Sequence, residues 1–244
     1  MSRWKAAAVH LSISIAVGLL SAALVFGVWY PPPYSHAAGA DELVLLLLGV
    51  DVVLGPLLTL AVFKVGKKGL RFDLGVIALL QICAFSYGMS VVVRARPAFI
   101  AALPERFVLV TATELADDDL VQGSKPEFRR IPWTGPQLVG TRLPSDVKER
   151  NDLLFSGVAG KDVDRFPKYY VDYALVAPEI RAKPLDTLVE AHPDEKAMID
   201  AWLQRHSRQA DSVTWLPLKT QRAFLTMLLD RNDGTPLDAL PIDP

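Results

Sequence analysis

Cysteine is scarce in this sequence, and an excess of positive charge is missing. The chain has one cysteine, Cys83, which lies within an apolar run. A disulfide within the chain is therefore impossible, and so is a metal site built from several thiolates. The 26 lysine and arginine residues are balanced by 27 aspartate and glutamate residues. This balance argues against nucleic acid as a partner, because nucleic-acid binding requires a basic face.

Motifs that carry catalysis are also missing. The histidines have neither of the helical spacings typical of zinc ligands, and they stand at His10, His36, His192 and His206. The sequence contains no P-loop, no glycine motif for dinucleotides and no G-x-S-x-G nucleophile motif. We therefore expect a protein that is not an enzyme and that needs no metal or cofactor.

Charge is scarce in the first third of the chain, where three apolar segments span about 6–30, 43–63 and 72–93. Each approaches or exceeds the roughly 20 residues that a helix needs to cross about 30 Å of hydrocarbon. The first could instead be a cleaved signal peptide, but its apolar core is longer than the roughly 7–15 residues of such a peptide. We expect a three-helix transmembrane domain over 1–96 and a soluble domain over 97–244.

The positive residues that flank the apolar segments predict their orientation. The link between the second and third segments carries four of them, namely Lys64, Lys67, Lys68 and Arg71. The link between the first two segments has no lysine or arginine. By the positive-inside rule, the N-terminus and the lysine-rich link lie in the cytoplasm, and three crossings place the soluble domain on the opposite side.

The soluble part has the pattern of a small mixed α/β domain. Strands are expected at 107–111 and 224–229, the latter followed by a turn at 232–234 and a return strand. Helices are expected at 145–155 and from Pro193 onward, the second with an apolar stripe over 198–203. The segment 97–104 is interpreted as a linker, 117–119 as a turn and 126–144 as a loop or irregular edge structure. Val147, Leu154 and Phe155 are the core positions expected in the first helix.

Asp51 is the sharpest local feature, because it lies near the middle of the second apolar segment. An ionised carboxylate there costs several kcal/mol unless it is paired. At 1.5 Å per residue, Gln81 falls at about the same depth, and Ser14 lies close to it in the first segment. A protonated Asp51 bonded to Gln81 could hold the helices together, or Asp51 could meet a polar group on another protein's helix. The residues alone leave both readings open.

The second apolar segment also contains a proline, Pro56. Pro56 within a helix permits a kink, which could be a fixed bend or a moving hinge.

An intramembrane aspartyl peptidase would need a second carboxylate beside Asp51. Asp73 is the candidate, but its expected depth differs by about 15 Å. We therefore do not expect a catalytic pair.

The apolar region resembles the type IV pilin accessory proteins of the TfpX/TfpZ family. The resemblance rests on Gly49-Val-Asp-Val-Val-Leu-Gly-Pro-Leu-Leu-Thr-Leu60, followed by Lys67-Lys68-Gly69 and Phe72-Asp73-Leu74. It covers residues 1–115 closely and continues more loosely to Ala182-Lys183-Pro184-Leu185. Val65 stands where this family often has proline, which should alter only the stiffness of the turn.

This resemblance implies an accessory factor or chaperone of the bacterial inner membrane, with a periplasmic C-terminal domain. Its expected partner is a cognate major type IV pilin, contacted through the pilin's transmembrane helix and periplasmic head, with other pilus assembly proteins and membrane lipid as further partners. We hypothesise that the second and third helices cradle the pilin helix near Asp51, Gln81, Pro56 and Ser14. A structural part of the assembly platform and a pilin-modifying enzyme are the alternatives.

Overall fold

The computed structural model describes residues 2–244, and the chain forms two compact units that adjoin in sequence between Ala95 and Arg96. The first unit is helical and the second is a mixed α/β domain, called here the C-terminal domain. The predicted fold class is thereby confirmed.

Three long apolar helices build the helical unit. Helix α1 runs over Arg3–Leu24 and continues as a π-helix over Val25–Trp29. Helix α2 consists of Ala40–Gly49, a π-helical turn at Val50–Leu54, and Gly55–Val62. Helix α3 covers Leu70–Ala95. With 27, 23 and 26 residues, all three are long and apolar enough to cross a membrane.

Small residues allow these helices to pack closely. Ser14, Gly18 and Ser21 form a buried face of α1. A Cβ atom at Gly18 would lie 2.8 Å from a methyl carbon of Leu48. In α3, a Cβ atom at Gly88 would lie 2.5 Å from a methyl carbon of Leu47. Two neighbouring leucines of α2 therefore rest on glycines of the two flanking helices, as expected where helices associate by close packing in lipid.

The C-terminal domain is built on one eight-stranded mixed sheet. Its strands are β1 (Pro97–Leu103), β2 (Arg106–Thr111), β3 (Gln137–Thr141), β4 (Tyr170–Val171), β5 (Lys183–Pro184), β6 (Val213–Lys219), β7 (Phe224–Asp230) and β8 (Pro236–Leu240). The order is β4-β3-β1-β2-β6-β7-β8, with β5 also paired to β6. The β1–β3 and β2–β6 pairs are parallel, and the other pairs are antiparallel.

Four α-helices complete this domain, in addition to short 3-10 segments. They are α4 (Asp117–Val121), α5 (Val147–Val158), α6 (Leu185–Ala191) and α7 (Lys196–Arg205). Phe99, Phe128 and Tyr170 lie in one buried apolar cluster of the domain. Trp202 and Trp215 lie in a second cluster.

The linker expected at 97–104 is wrong, because Pro97–Leu103 is a fully buried strand between β2 and β3. Its alanines are poor strand formers in isolation, and its two flanking prolines suggested a connector. Small side chains are suited to a strand that is covered on both faces, so tertiary packing outweighs local preference here. The loop or irregular edge structure expected at 126–144 is wrong only at 137–141, where β3 pairs with β1.

The turn expected at 117–119 is instead the first turn of α4. Three consecutive aspartates suit that position, because negative side chains interact favourably with the positive end of a helix.

The helix expected at 145–155 exists as α5, but its expected core positions are wrong. Val147, Leu154 and Phe155 are 67%, 65% and 76% exposed, and the residue of this helix that is buried is Leu153. Asp146 caps the helix by accepting a hydrogen bond from the main-chain N–H of Glu149. Apolar side chains alone do not show whether a helix position faces the core or the solvent.

The predictions for the last third of the domain are confirmed. Ile199 and Trp202 of α7 are buried, with Met198 and Leu203 packed beside them. Strands β7 and β8 form the expected antiparallel pair. The turn between them contains Gly234 at φ 72°, a left-handed conformation that favours glycine.

Candidate functional site

Polar side chains from all three long helices line one cavity of about 470 Å³ in the helical unit. We call this cavity the groove. Its polar residues are His10, Ser14, Asp51, Thr59 and Gln81. The remaining lining is apolar, and it includes Ile13, Val17, Leu74, Ala78, Ile82 and Phe85. The structure thus brings Ser14, Asp51 and Gln81, three of the four residues expected to contact the pilin helix, into one site.

Asp51 keeps a hydrogen-bonding capacity that the helical unit does not use. Its Oδ1 atom is buried and has no hydrogen-bond partner within residues 2–244. Gln81 Nε2 donates to the main-chain oxygen of Asp51 at 3.5 Å, which is long for a hydrogen bond. A buried acceptor without a donor costs about 1–3 kcal/mol. The groove therefore contains a polar atom that a bound donor would satisfy.

Pro56 does not line the groove, but it explains the backbone beside Asp51. Proline has no N–H and its ring clashes with the carbonyl group four residues earlier, here that of Val52. The helix accommodates this with the wide π-helical turn at Val50–Leu54, which contains Asp51. Pro56 itself is buried among the helices. Its local role is to widen the turn that holds Asp51.

Gly55 gives Gln81 the room to reach this turn. A Cβ atom at position 55 would lie 2.0 Å from Gln81 Nε2 and 2.8 Å from Gln81 Cδ. Any larger residue must therefore displace the amide group of Gln81 from the main chain of Asp51.

We predict that Gly55→Ala melts at a lower temperature than Gly49→Ala, because the Gln81 amide must move away and lose its hydrogen bond to the Asp51 main chain, a loss of about 1 kcal/mol. Gly49→Ala is the matched control in the same helix, because nothing lies within 4 Å of a Cβ atom there. Thermal melting of the purified protein in detergent measures both variants. Equal melting temperatures for the two variants would contradict the packing of Gln81 on Gly55.

His10 and Thr59 are members of the groove that the sequence did not reveal. His10 Nδ1 and Thr59 Oγ1 lie 2.6 Å apart and join α1 to α2. His10 stands four residues before Ser14, so the two share one face of α1. That spacing was the available signal, but the rotation of α2 that brings Thr59 to His10 depends on packing.

The predicted cytoplasmic anchor residues are exposed around the α2–α3 link. Lys64, Lys67, Lys68 and Arg71 are all exposed. Lys67 Nζ forms an ion pair of 2.6 Å with Asp73 Oδ2. Asp73 thus pairs with a lysine, and it is not among the residues that line the groove with Asp51.

Across residues 2–244, no three His, Cys, Asp or Glu residues are grouped closely enough to hold a metal ion.

A second candidate surface lies on α5 of the C-terminal domain. Its exposed apolar residues recur at helical spacing, and we call them the α5 stripe: Val147, Leu154, Phe155 and Val158. Leu143, just before the helix, is also exposed. A contiguous apolar surface that is left exposed on a folded domain marks a site of interaction.

The chain has three helices long and apolar enough to cross a membrane, with a groove between them that is lined in part by polar residues, and an α/β domain follows them. These features define a membrane-associated protein with a folded domain beyond its helices. Over 234 residues the chain is 31% identical to "Fimbrial assembly protein, serogroup I" of Dichelobacter nodosus, which covers 93% of this chain and 91% of that protein. The serogroup E1 protein of the same organism is 31% identical over the same length, with the same coverage. The protein of serogroups C1 and C2 is 34% identical over 120 residues, which are 48% of this chain and 92% of that protein.

The model of the family "Fimbrial assembly protein FimB" matches residues 1–39, which include His10 and Ser14 of the groove. The chain belongs to the FimB family of fimbrial assembly proteins. The resemblance to pilin accessory proteins is thereby confirmed, and the family supports a role in fimbrial assembly. No solved structure matches the chain.

Proposed function

We propose that this protein is an inner-membrane chaperone that holds a cognate type IV pilin and promotes its stability and assembly into pili. The groove between the three long helices is the observation that carries the proposal. In this proposal the protein works by binding rather than by catalysing a reaction. The family relationship supports the assembly role, and the groove supports a transmembrane helix as the occupant.

The lining of the groove suits a largely apolar helix with one polar group. Apolar side chains such as Val17, Leu74 and Phe85 offer packing surface, which is what drives helix association in lipid. The unsatisfied Oδ1 of Asp51 offers one hydrogen bond at mid-helix. A pilin awaiting assembly presents an apolar N-terminal helix that bears an acidic residue. The protonated form of that residue would supply the donor that Asp51 lacks.

The α5 stripe is the proposed contact for the pilin head. Phe155 and Leu154 are large, exposed and apolar, and such residues dominate the energy of protein interfaces when a partner covers them. A helix contact and a head contact on one chain reinforce each other, because the second binding event becomes intramolecular. Neither contact then needs to be tight, which suits a chaperone that must release its pilin.

The proposal places the N-terminus and the α2–α3 link in the cytoplasm and the C-terminal domain in the periplasm. Exposed lysines at 64, 67 and 68 support this orientation through the positive-inside rule. The exposed apolar sides of the long helices would contact membrane lipid.

Site-specific photocrosslinking in fimbriated cells tests the proposal. Ile82 lines the groove, whereas Leu80 is exposed on the same helix and does not line it. We expect a crosslinker at Ile82 or Phe155 to capture pilin and a crosslinker at Leu80 to capture none. Crosslinks from Ile82 to lipid or to its own chain alone would contradict the groove as the pilin site.

A swap of pilin alleles separates the chaperone from a structural part of the assembly platform. In a strain that lacks this protein, a chaperone specific for one pilin is expected to be required only by its cognate allele. Loss of fimbriae with every pilin allele would favour the platform component instead.

A further inference from the structure

The C-terminal domain contains a polar pocket of about 520 Å³ where β2, the segment 160–165 and the end of β6 meet. We call it the Asp164 pocket. Its volume lies within the roughly 300–1,000 Å³ typical of ligand sites. Three cations and three carboxylates line it, namely Arg106, Arg165, Lys219, Glu114, Asp162 and Asp164.

Both arginines of the pocket are already paired with carboxylates. An Arg106 guanidinium nitrogen lies 2.9 Å from Asp162 Oδ2, and an Arg165 guanidinium nitrogen lies 2.6 Å from Glu114 Oε1. These two pairs leave Lys219 and Asp164 without an ion pair within residues 2–244. Lys219 is exposed and can be solvated. Asp164 is only 6% exposed, so its unpaired charge is the costly one.

Asp164 is held in this position by the fold rather than by a partner for its carboxylate. The Tyr170 hydroxyl donates to the main-chain oxygen of Asp164 in the core. The Asp162 side chain accepts a hydrogen bond of 2.7 Å from the Val163 N–H and caps the short 3-10 helix Val163–Arg165. No side chain between residues 2 and 244 is hydrogen-bonded to the Asp164 carboxylate. Burial raises the pKa of this carboxyl group, whereas a hydrogen bond from its own main-chain N–H lowers it. The nearby Asp162 raises this pKa further, and Arg165 and Arg106 lower it.

One unsatisfied side-chain atom belongs to the same pocket. Arg106 Nε is buried and donates to no acceptor in the described part of the chain. The pocket therefore combines a buried carboxylate that forms no ion pair with a buried donor that has no acceptor. Buried polar groups in native proteins are satisfied in the great majority of cases, so an unsatisfied Arg106 Nε beside a buried carboxylate without an ion pair points to a ligand.

We propose that the Asp164 pocket binds a lysine or arginine residue of a polypeptide. The cationic group of that residue pairs with the Asp164 carboxylate, and one of its main-chain carbonyl oxygens accepts a hydrogen bond from Arg106 Nε. An anionic ligand fits less well, because both arginines are already paired and the free cation, Lys219, is solvated. This inference does not rest on the groove or on pilin as the occupant of the groove.

Titration of the full-length protein in detergent with three small probes tests the proposal. N-acetyl-lysine-N-methylamide carries the cation and two carbonyl groups, its norleucine counterpart lacks the cation, and butylammonium lacks the carbonyl groups. We expect the lysine amide to bind about tenfold or more tightly than either of the other probes. Equal binding of the lysine and norleucine amides, or no binding of the lysine amide, would overturn the proposal. Equal binding by butylammonium would assign the pocket to free amines instead of a polypeptide residue.

Two variants connect the binding to Asp164. Asp164→Asn is expected to weaken the lysine amide by about tenfold or more. Asp172→Asn is the control, because Asp172 is exposed, pairs with Lys125 and does not line the pocket. Unchanged affinity in Asp164→Asn, or an equal loss in both variants, would contradict the assignment.

Thermal melting without any probe measures how the Asp164 carboxyl group affects the stability of the folded state. A carboxyl group whose folded pKa is raised destabilises the folded state as the pH rises above its ordinary value of 3.8. We therefore expect Asp164→Asn to melt at a higher temperature than the natural protein at pH 7, with the gain fading as the pH falls toward 3.8. A lower melting temperature at pH 7 would mean that the carboxylate has a stabilising partner, and the pocket would then need no ligand.

Discussion

Replacing Trp202 with alanine is expected to remove about 3–5 kcal/mol from the stability of the C-terminal domain, the usual cost of truncating a buried large aromatic residue. Trp202 is 1% exposed and packs with Ile199, Val213 and Leu228. Its Nε1 donates to Asp238 Oδ2 at 2.7 Å, and its ring stacks on His206 at 4.3 Å. Hydrogen exchange of the β6 and β7 amides in the full-length protein measures the loss, since opening of the sheet exposes both strands.

Two comparisons make this prediction specific. Trp202→Phe retains most of the apolar volume but loses the hydrogen bond to Asp238, so a smaller loss is expected. Phe155→Ala removes an aromatic residue that is 76% exposed, and surface substitutions of this kind usually stay within about 0.5 kcal/mol. A loss from Phe155→Ala as large as that from Trp202→Ala would mean that the α5 stripe is buried, and the proposed contact for the pilin head would fail.

The helical unit was largely predictable because a bilayer restricts what a chain can do. Backbone groups in hydrocarbon must be satisfied internally, so apolar segments of sufficient length become helices. The fixed rise of a helix then gives relative depth, which is why Asp51, Gln81 and Ser14 were expected near one another. Rise gives no information about rotation around each helix axis. The His10–Thr59 contact was missed for that reason, and so was the space that Gly55 leaves for Gln81.

Elements of the C-terminal domain were predictable only where the residues that form and pack the element lie close together in the sequence. The β7–β8 pair and the α7 stripe are local, and both were expected. Strand β1 was missed because its alanines favour a strand only weakly, and one of its two neighbours in the sheet, β3, comes from further along the chain. The Asp164 pocket joins residues as distant as Arg106 and Gln221. No motif in the sequence could indicate a site assembled in this way.

Filling the groove is expected to abolish fimbriation without altering any of its polar groups. Ala78 lines the groove and is exposed to it, so Ala78→Trp places a large ring where the proposal puts the pilin helix. A steric penalty of about 1.4 kcal/mol already weakens binding tenfold, and a tryptophan in a helix-sized groove should exceed that. Surface fimbriae and the steady-state level of pilin, measured in cells that express each variant at equal amounts, give the result.

Ala84→Trp distinguishes a blocked groove from a damaged helix. Ala84 lies six residues further along α3. It is also exposed, but it does not line the groove. Both variants add the same ring to the same helix, so a defect in folding or insertion should affect both, whereas a blocked site should affect only Ala78→Trp. Normal fimbriation in Ala78→Trp would contradict the groove as the pilin site, whatever the crosslinks from Ile82. A defect confined to Ala78→Trp, together with pilin that becomes unstable in those cells, would mean that the space between the helices is what the pilin requires.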